Sequence, residues 1–367
     1  MSLMLTIHPD TTIYVFCPAH IVTGGIEAVH QLVDQLRTFG HNARIVPLPA
    51  VANPLLIQYR NYDVAFADAV EDDCRNVLIA TEVNPGQLNR YSRIQKAVWW
   101  LSVDNHEASS DHFDFHNPAN GAVSHFVQSA YARQFLQHKG VEHIHALSDY
   151  LHRDYLRDLH LPKNDTVLYT PVKGSEDLLR PLIHADRSLH WLPLKGMIRK
   201  QHAQTLRQGK VYVDFGSHPG KDRQPREAAV NGCCVLVGLR GSATFPEDLP
   251  IPEAYKFAIP DLQGDAVLST IRDCLADHAK RRKDFDAYAT TIRGEEERFG
   301  EEVRRIFGVG RQREQRRLAT ATRNTWTFIQ QNRPLTVMRG LANELVPLGP
   351  TNLARRVYRS LTAPPGR

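Results

Sequence analysis

A short segment after an apolar run carries the residues best suited to bind an anion. Residues 211–215 are predicted to form a strand, and the loop that follows contains Gly220. Three charged side chains, Lys221, Asp222 and Arg223, stand where the next helix should begin. The N–H groups of a helix start, together with lysine or arginine, bind phosphate oxygens well. We therefore expect a phosphate or diphosphate site here, at the ligand-binding edge of an open α/β sheet.

Two other helix starts have a related composition. Gly24 and Gly25 precede the first predicted helix, and Lys173 and Gly174 precede a later one. Glycine lets the backbone approach a ligand closely, and a cation at a helix start would contact the anion that the helix end attracts. A tight turn and an exposed lysine are the alternative interpretations, and the sequence leaves both open.

The elements that must position these residues form two series of alternating strands and helices. Such alternation indicates mostly parallel sheets covered on both faces, an α/β fold. We predict an N-terminal domain over residues 1–160, a second domain over 161–295 and a helical segment over 296–367. The predicted strands are 12–17, 43–48, 64–67, 76–80, 98–103, 122–128, 166–169, 190–194, 211–215, 233–237 and 255–259.

Length and composition favour an ordinary globular protein of two domains. The 367 residues are enough for two cores, and no apolar run approaches the length of a membrane span. The first residues lack the pattern of a secretory signal. The five cysteines are an odd number without zinc-site spacing, which favours reduced thiols. We therefore expect a cytoplasmic protein.

Charge is distributed unevenly along the chain. From Arg304 onward the sequence contains thirteen arginines and only two acids, Glu314 and Glu344, within a net charge of +5. A solvated helical surface explains this as well as attraction to an anionic partner does. Residues 350–361 would place leucines and valine opposite arginines on a helix. Such a helix would either pack its apolar face on the body of the protein or make peripheral contact with the inner membrane face. Nucleic acid is not expected, because no recognition motif is present.

Four segments in a characteristic order carry a resemblance to a known family. They are residues 23–46 (TGGIEAVHQLVDQLRTFGHNARIV), 169–179 (YTPVKGSEDLL), 192–216 (LPLKGMIRKQHAQTLRQGKVYVDFG) and 225–238 (PREAAVNGCCVLVG). Together they resemble family 4 glycosyltransferases of the GT-B architecture, as a divergent subgroup. The resemblance implies two Rossmann-like domains facing across a cleft. It also implies a nucleoside-diphosphate sugar as donor substrate, a glycan or lipid-linked acceptor, and no separate cofactor.

The same resemblance suggests roles for individual residues. Gly24 and Gly25 would face the donor diphosphate or the acceptor across the cleft, Lys173 would bind a phosphate, and Glu227 would accept hydrogen bonds from ribose hydroxyls. A plain helix-capping role for Glu227 stays open. Lys221 and Arg223 are the candidates for neutralising the leaving diphosphate, and Arg226 is interpreted as a structural ion-pair partner.

Acid–base candidates follow two of the predicted strands. In the resembling family a polar residue after strand 98–103 approaches the transferred sugar, so Asp104 or His106 would position the acceptor or take its proton. Glu82 is a weaker candidate on the acceptor side. His218 would contact the donor sugar or a phosphate. The alternatives are a turn capped by Asp104 and an ordinary buried histidine.

The sequence departs from the family at one position. Many family 4 enzymes carry two glutamates separated by seven residues; Glu227 matches the second, but Pro219 stands in place of the first. His218 and Asp222 are the nearest polar substitutes. A retaining outcome, usual for the family, is therefore a weaker implication than the fold.

Metal independence is a further expectation. The Asp-x-Asp triplet of metal-dependent transferases occurs here only at Asp284–Asp286, in a charged helical setting. Cations and helix ends would then replace a metal at the leaving group. Two other functions stay open at this stage: a nucleotide-sugar epimerase with the same fold, and a non-catalytic nucleotide-sugar-binding protein.

Overall fold

The structure is a computed structural model of the chain. It describes residues 5–51, 54–109, 111–117, 120–159, 161–172, 174–259 and 264–310. Lys173 and the arginine-rich stretch from residue 311 onward lie outside these ranges, so the roles predicted for them stay predictions. No helix among the described residues has the length and apolar character that crossing a membrane would require.

The first half of the chain forms a six-stranded parallel sheet with the strand order β2-β1-β3-β4-β5-β6. Its strands are β1 (Thr12–Pro18), β2 (Asn42–Leu48), β3 (Val77–Thr81), β4 (Gln95–Trp100), β5 (Ser124–Val127) and β6 (Ile144–Ala146). The α-helices in this part of the chain are α1 (Gly24–Thr38), α2 (Val103–Ala108), α3 (Ala130–His138) and α4 (Arg153–Leu156); Tyr155 of α4 packs in the core of the second sheet.

A second parallel sheet has five strands in the order β11-β10-β9-β7-β8. Its strands are β7 (Asn164–Tyr169), β8 (His190–Pro193), β9 (Gly209–Asp214), β10 (Cys234–Gly238) and β11 (Lys256–Phe257). The helices that accompany and follow it are α5 (Ser175–Ala185), α6 (Arg199–Gln208), α7 (Arg223–Val230), α8 (Asp265–Ala276), α9 (His278–Arg281), α10 (Asp286–Arg293) and α11 (Glu295–Phe307). Short 3-10 helices occur at Ile57–Tyr59, Pro85–Arg90, Gly241–Thr244, Glu253–Tyr255 and Arg282–Phe285.

Burial explains why the central strands read as continuous apolar runs. All five residues of β3 are buried, and so are all five of β10. Strands of parallel sheets are covered on both faces, so they need apolar side chains at successive positions rather than at alternate ones. Trp99 and Trp100 in β4 are fully buried, and each indole N–H is satisfied, by the Leu147 carbonyl and by the His125 ring respectively.

Each sheet has one point where the strand order reverses. In the first sheet the reversal lies between β1 and β3, and in the second it lies between β7 and β9. Loops on the two sides of such a point diverge and leave a crevice at the carboxyl ends of the strands. The loops after these four strands are therefore the places where a ligand site is expected.

Helix α11 returns to the first domain after the second sheet is complete. Phe299, Val303 and Phe307 belong to the apolar core formed around α1 and β1. The Glu302 carboxylate accepts hydrogen bonds from the Ser148 N–H (2.6 Å) and hydroxyl (2.7 Å). This helix therefore packs the end of the described chain against the first domain.

The main differences between the predicted and the observed strands are three. The strand predicted at 64–67 is a single bridge between Phe66 and Ile45, because only one residue of β2 pairs with it. The unpredicted strand β6 is short and only half-buried at the sheet edge, so it lacks an apolar signature. Strand β4 ends at Trp100, before the predicted end at residue 103, because α2 begins at Val103.

Candidate functional site: the cavity between the domains

A cavity of about 470 Å³ lies between the two domains, at both reversal points. Its first-domain wall is built from the loop after β1, the start of α1 and the residues after β3 and β4. Its second-domain wall is built from the residues after β7 and the long loop between β9 and α7. The volume falls in the range of about 300–1,000 Å³ that is typical of small-molecule sites.

Six residues that the sequence predicts to bind the donor line this cavity together. They come from two helix starts that are far apart in the sequence and meet across the domain junction. They are Gly24, Gly25, Gly220, Lys221, Asp222 and Arg223.

The domains approach closely at Gly220. A Cβ atom on this glycine would lie 1.9 Å from the Leu101 carbonyl oxygen, a distance that no side chain could tolerate. Beside it, the Val103 N–H donates a hydrogen bond of 2.7 Å to the Pro219 carbonyl. Gly220 is therefore required by backbone-to-backbone contact between the domains.

Arg223 is largely buried, with 12% of its side chain exposed, and binds acids of the first domain. Its guanidinium contacts Glu27 and lies 3.0 Å from a carboxylate oxygen of Asp149. Burial by itself would lower the pKa of Arg223, but the two carboxylates outweigh it and raise the pKa above its ordinary value. The arginine is held across the junction by charge, and its Cδ would lie 2.9 Å from a Cβ on Gly24.

A second buried arginine extends the same ion cluster. Arg226 contacts Asp149 at 2.8 Å and Glu295 at 2.9 Å, and Lys221 contacts Glu295 at 2.7 Å. The interpretation of Arg226 as a structural ion-pair partner is confirmed by these contacts. Burial raises the pKa of Asp149, but Arg226 and Arg223 outweigh it and hold the carboxyl ionised. The cluster joins the first domain, the α7 helix start and α11.

A histidine and two aspartates form a compact group beneath the loop after β9. The ligand atoms of Asp214, His218 and Asp222 all lie within 4.8 Å of one another, a spacing that could hold a metal ion. His218 Nδ1 lies 3.1 Å from Asp222, and the Asp214 carboxylate accepts hydrogen bonds from the Tyr212 hydroxyl and the Gly216 N–H. Burial raises the pKa of Asp214. Asp214 and Asp222 line the cavity, whereas His218 is buried behind them.

Asp104 and His106 are not among the residues that line the cavity. The Tyr131 hydroxyl donates a hydrogen bond of 2.8 Å to Asp104. The His106 ring is buried against Trp100, and its Nδ1 lies 3.1 Å from the Glu82 carbonyl. Asn105, between them on α2, lines the cavity instead, because side chains one position apart on a helix point in different directions.

Glu227 and Gly174 also lie away from the cavity lining. The Glu227 carboxyl is buried near His202, at 3.6 Å, and burial raises its pKa to about 7. Gly174 caps the start of α5 in the left-handed region, with φ of 78°. The predicted contact between Glu227 and ribose therefore stays a prediction.

Glu82, a weaker candidate from the sequence, lies buried in the wall of the cavity. It is the first residue after β3, is 3% exposed and lines the cavity. Its carboxylate accepts a hydrogen bond of 3.0 Å from the Leu101 N–H. Burial raises its pKa to about 7, although backbone N–H groups lower it in part. A polar residue directly after a fully apolar strand is the sequence signal that identifies it.

Two other functional residues gave no such signal. Glu27 lies within the helical pattern of α1, and Asp149 lies in the stretch where the alternating pattern weakens. Their role as counter-ions of Arg223 depends on contacts between residues more than seventy positions apart.

Solved structures, rather than related sequences, identify the architecture. No family model matches the sequence, and no curated protein matches it. HepE from Anabaena, solved with UDP-glucose, matches with a TM-score of 0.51 at 12% identity over 88% of this chain and 100% of that chain. Sucrose-phosphate synthase from Thermosynechococcus elongatus matches with a TM-score of 0.50 at 13% identity over 88% and 99%.

WaaG, a glycosyltransferase involved in lipopolysaccharide biosynthesis, also matches, with a TM-score of 0.50 at 10% identity over 81% of this chain and 100% of that chain. Two parallel-sheet α/β domains with these structural neighbours define a GT-B architecture. The fold expected from the sequence is thus confirmed, while identities of this size show the fold alone.

Proposed function

We propose that this protein is a glycosyltransferase that moves a sugar from a nucleoside-diphosphate sugar to a hydroxyl group of a glycan or related acceptor. The observation that carries the proposal is the cavity at the two reversal points of a GT-B architecture, lined by two glycine-containing helix starts. HepE, which shares the fold, was solved with UDP-glucose. The proposal extends that kind of ligand to this chain.

Both walls of the cavity offer groups that can bind the diphosphate of the donor. Lys221 and the start of α7 offer a cation and backbone N–H groups to the diphosphate on the second-domain wall. The Gly24–Gly25 start of α1 offers further N–H groups from the opposite side. The leaving group would then be stabilised by charges and dipoles that are in place before the reaction begins.

Lys221 is the cation through which this proposal is tested most sharply. It contacts Glu295 at 2.7 Å and lines the cavity, so a bound diphosphate would share it with that acid. Calorimetric titration with UDP-glucose, UDP-N-acetylglucosamine, GDP-mannose and ADP-glucose identifies the donor for the full chain. Lys221→Met should weaken binding of that donor at least tenfold, because one charge-assisted contact is removed.

Lys210→Met is the matched control. Lys210 pairs with Asp165 and does not line the cavity, so this substitution should leave donor affinity unchanged. Equal losses in both variants, or no binding of any of the four nucleotide sugars to the wild type, would contradict the proposal. Incubation with the donor in the absence of acceptor separates the transferase from an epimerase, since an epimerase alone would convert the donor into an isomer.

A further inference from the structure

We infer that Glu82 is the general base that removes the proton from the acceptor hydroxyl, and that the transfer inverts the configuration of the anomeric carbon. This inference rests on the proposed transfer reaction and adds to it a base and a stereochemical outcome. The outcome is the opposite of the retention that the family 4 resemblance implies.

Glu82 lies on the wall of the cavity opposite Lys221. Glu82 directly follows β3, one of the two strands at the reversal point of the first sheet, and it lines the cavity there. Lys221 and Asp222 line the second-domain wall of the same cavity. A donor whose diphosphate lies on the second-domain wall would therefore have its sugar between the leaving group and Glu82.

Glu82 also differs in protonation behaviour from the other buried glutamate of its domain. Glu27, an equally buried acid of the same domain, is bound by Arg199 and Arg223 and keeps its pKa below the ordinary value: their charges outweigh the effect of burial. Within the described ranges, by contrast, the Glu82 carboxylate makes a hydrogen bond to the Leu101 N–H and has no ion pair. A buried acid without a cation holds a proton more readily than a paired one. Glu82 is thus able both to accept and to release a proton near neutral pH.

The surrounding charges determine how Glu82 would titrate. His106 hydrogen-bonds to the Glu82 carbonyl, and burial lowers the pKa of that ring. The charged groups lining the same cavity from the second domain are Asp214, Lys221, Asp222 and Arg223. Arg223 is already bound by Glu27 and Asp149, and Lys221 by Glu295. Their positive charge is therefore largely compensated before it can act on Glu82.

The proposed step balances as a single displacement. The acceptor oxygen forms a bond to the anomeric carbon while the bond from that carbon to the diphosphate oxygen breaks. The hydroxyl proton passes to the Glu82 carboxylate, and the bonding electron pair leaves with the nucleoside diphosphate. Because the base and the leaving group lie on opposite walls, attack comes from the face opposite the leaving group, which inverts the carbon.

A structural role for Glu82 is the competing explanation, and Glu82→Gln separates the two. Glutamine also accepts a hydrogen bond from the Leu101 N–H but cannot take a proton at neutral pH. With the donor found by calorimetry and p-nitrophenyl hexosides as acceptors, the variant should bind the donor with wild-type affinity. Its kcat should fall by about 100-fold to 10,000-fold, the range of general base catalysis.

Azide and the product configuration provide the decisive readouts. Azide carries no proton and needs no base, so Glu82→Gln should form the glycosyl azide at a rate within about threefold of the wild type. Proton NMR of the wild-type product should show the anomeric configuration opposite to that of the donor. Glu302→Gln, a buried carboxyl change outside the cavity, should leave every readout unchanged.

Three results would overturn the inference. If Glu82→Gln keeps its activity towards hydroxyl acceptors within about threefold of the wild type, Glu82 is not the base, while the proposed transfer reaction still stands. A product that retains the donor configuration would do the same. If the wild type transfers no sugar from any donor that it binds, both the transfer reaction and its base are wrong.

Discussion

At the scale of single residues, the buried ion cluster is the feature that most distinguishes the domain junction. Glu27, Asp149, Arg226 and Glu295 are buried, Arg223 is 12% exposed, and the five contact one another in a chain. Replacing a whole buried ion pair by apolar residues often changes stability little, whereas removing one partner leaves an uncompensated buried charge. Separating the members of the cluster would therefore cost free energy, and this cost holds the two domains in the observed arrangement.

Arg223→Met tests this. The substitution leaves Glu27 and Asp149 without their shared cation, so unfolding in urea should show a loss of about 3–5 kcal/mol. Arg75→Met removes the exposed pair with Asp10 and should cost no more than about 1 kcal/mol. Comparable losses in the two variants would contradict a special role for the buried cluster.

Glu82 also predicts how stability depends on pH. Its pKa is about 7 in the folded chain, above the ordinary value of 4.5, so the folded state binds the proton more tightly than the unfolded state does. The stability that this proton supplies is complete below about pH 4.5 and is lost as pH rises through 7. Glu82→Gln should therefore gain stability over the wild type between pH 5 and 8, by about 3 kcal/mol at most.

Thermal unfolding at several pH values measures this gain directly, without any substrate. Glu302→Gln, which changes another buried carboxyl, is measured alongside as the control for replacing a buried acid by its amide. A constant difference between Glu82→Gln and the wild type across the range would mean that Glu82 titrates normally.

Metal independence is also decided by individual residues. The carboxylates of Asp214 and Asp222 already make hydrogen bonds within the protein, to Tyr212 and Gly216 and to His218. We predict that EDTA changes the transfer rate less than twofold. The prediction is contradicted if EDTA abolishes activity and manganese or magnesium restores it. If the metal fails to restore activity in Asp214→Asn, the ion is assigned to this group.

At the scale of elements, the loop between β9 and α7 is positioned by backbone contact with the end of β4. The space for a Cβ at Gly220 is taken by the Leu101 carbonyl, whereas a Cβ at Gly25 would lie 3.5 Å from the Leu101 side chain, an ordinary contact. These two glycines therefore differ in what they can tolerate, although both line the cavity.

Gly220→Ala should destabilise the protein by about 1–3 kcal/mol, because the domains must move apart to admit the methyl group. Gly25→Ala should change stability by less than about 1 kcal/mol. Urea unfolding of both variants makes the comparison, and a Gly220→Ala protein as stable as Gly25→Ala would mean that the junction is open in solution.

The sequence predicts most elements of both sheets but only part of the site. Apolar runs such as that of β3 identify buried strands, and glycines before helices identify Gly24, Gly25 and Gly220 as cavity residues. Local patterns could not show that α2 turns Asp104 and His106 away while Asn105 faces the cavity. Nor could they pair Glu27 with Arg223, since that contact exists only once the domains meet.

At the scale of the whole molecule, two parallel-sheet domains place their reversal points against one cavity, and α11 ties the end of the second domain to the core of the first. This arrangement brings helix starts from both domains to one place, with Glu82 on the first-domain wall and the loop proposed to bind phosphate on the other. Sugar transfer between two substrates uses both features, because the donor and the acceptor need separate walls.

Sugar transfer itself is measured by product analysis with the full chain. The donor found by calorimetry is incubated with a set of p-nitrophenyl hexosides, and the products are identified by mass spectrometry. We expect an acceptor heavier by one sugar residue and an equal amount of released nucleoside diphosphate, both absent when the acceptor is omitted. Unchanged acceptors and intact donor in every incubation would contradict this expectation.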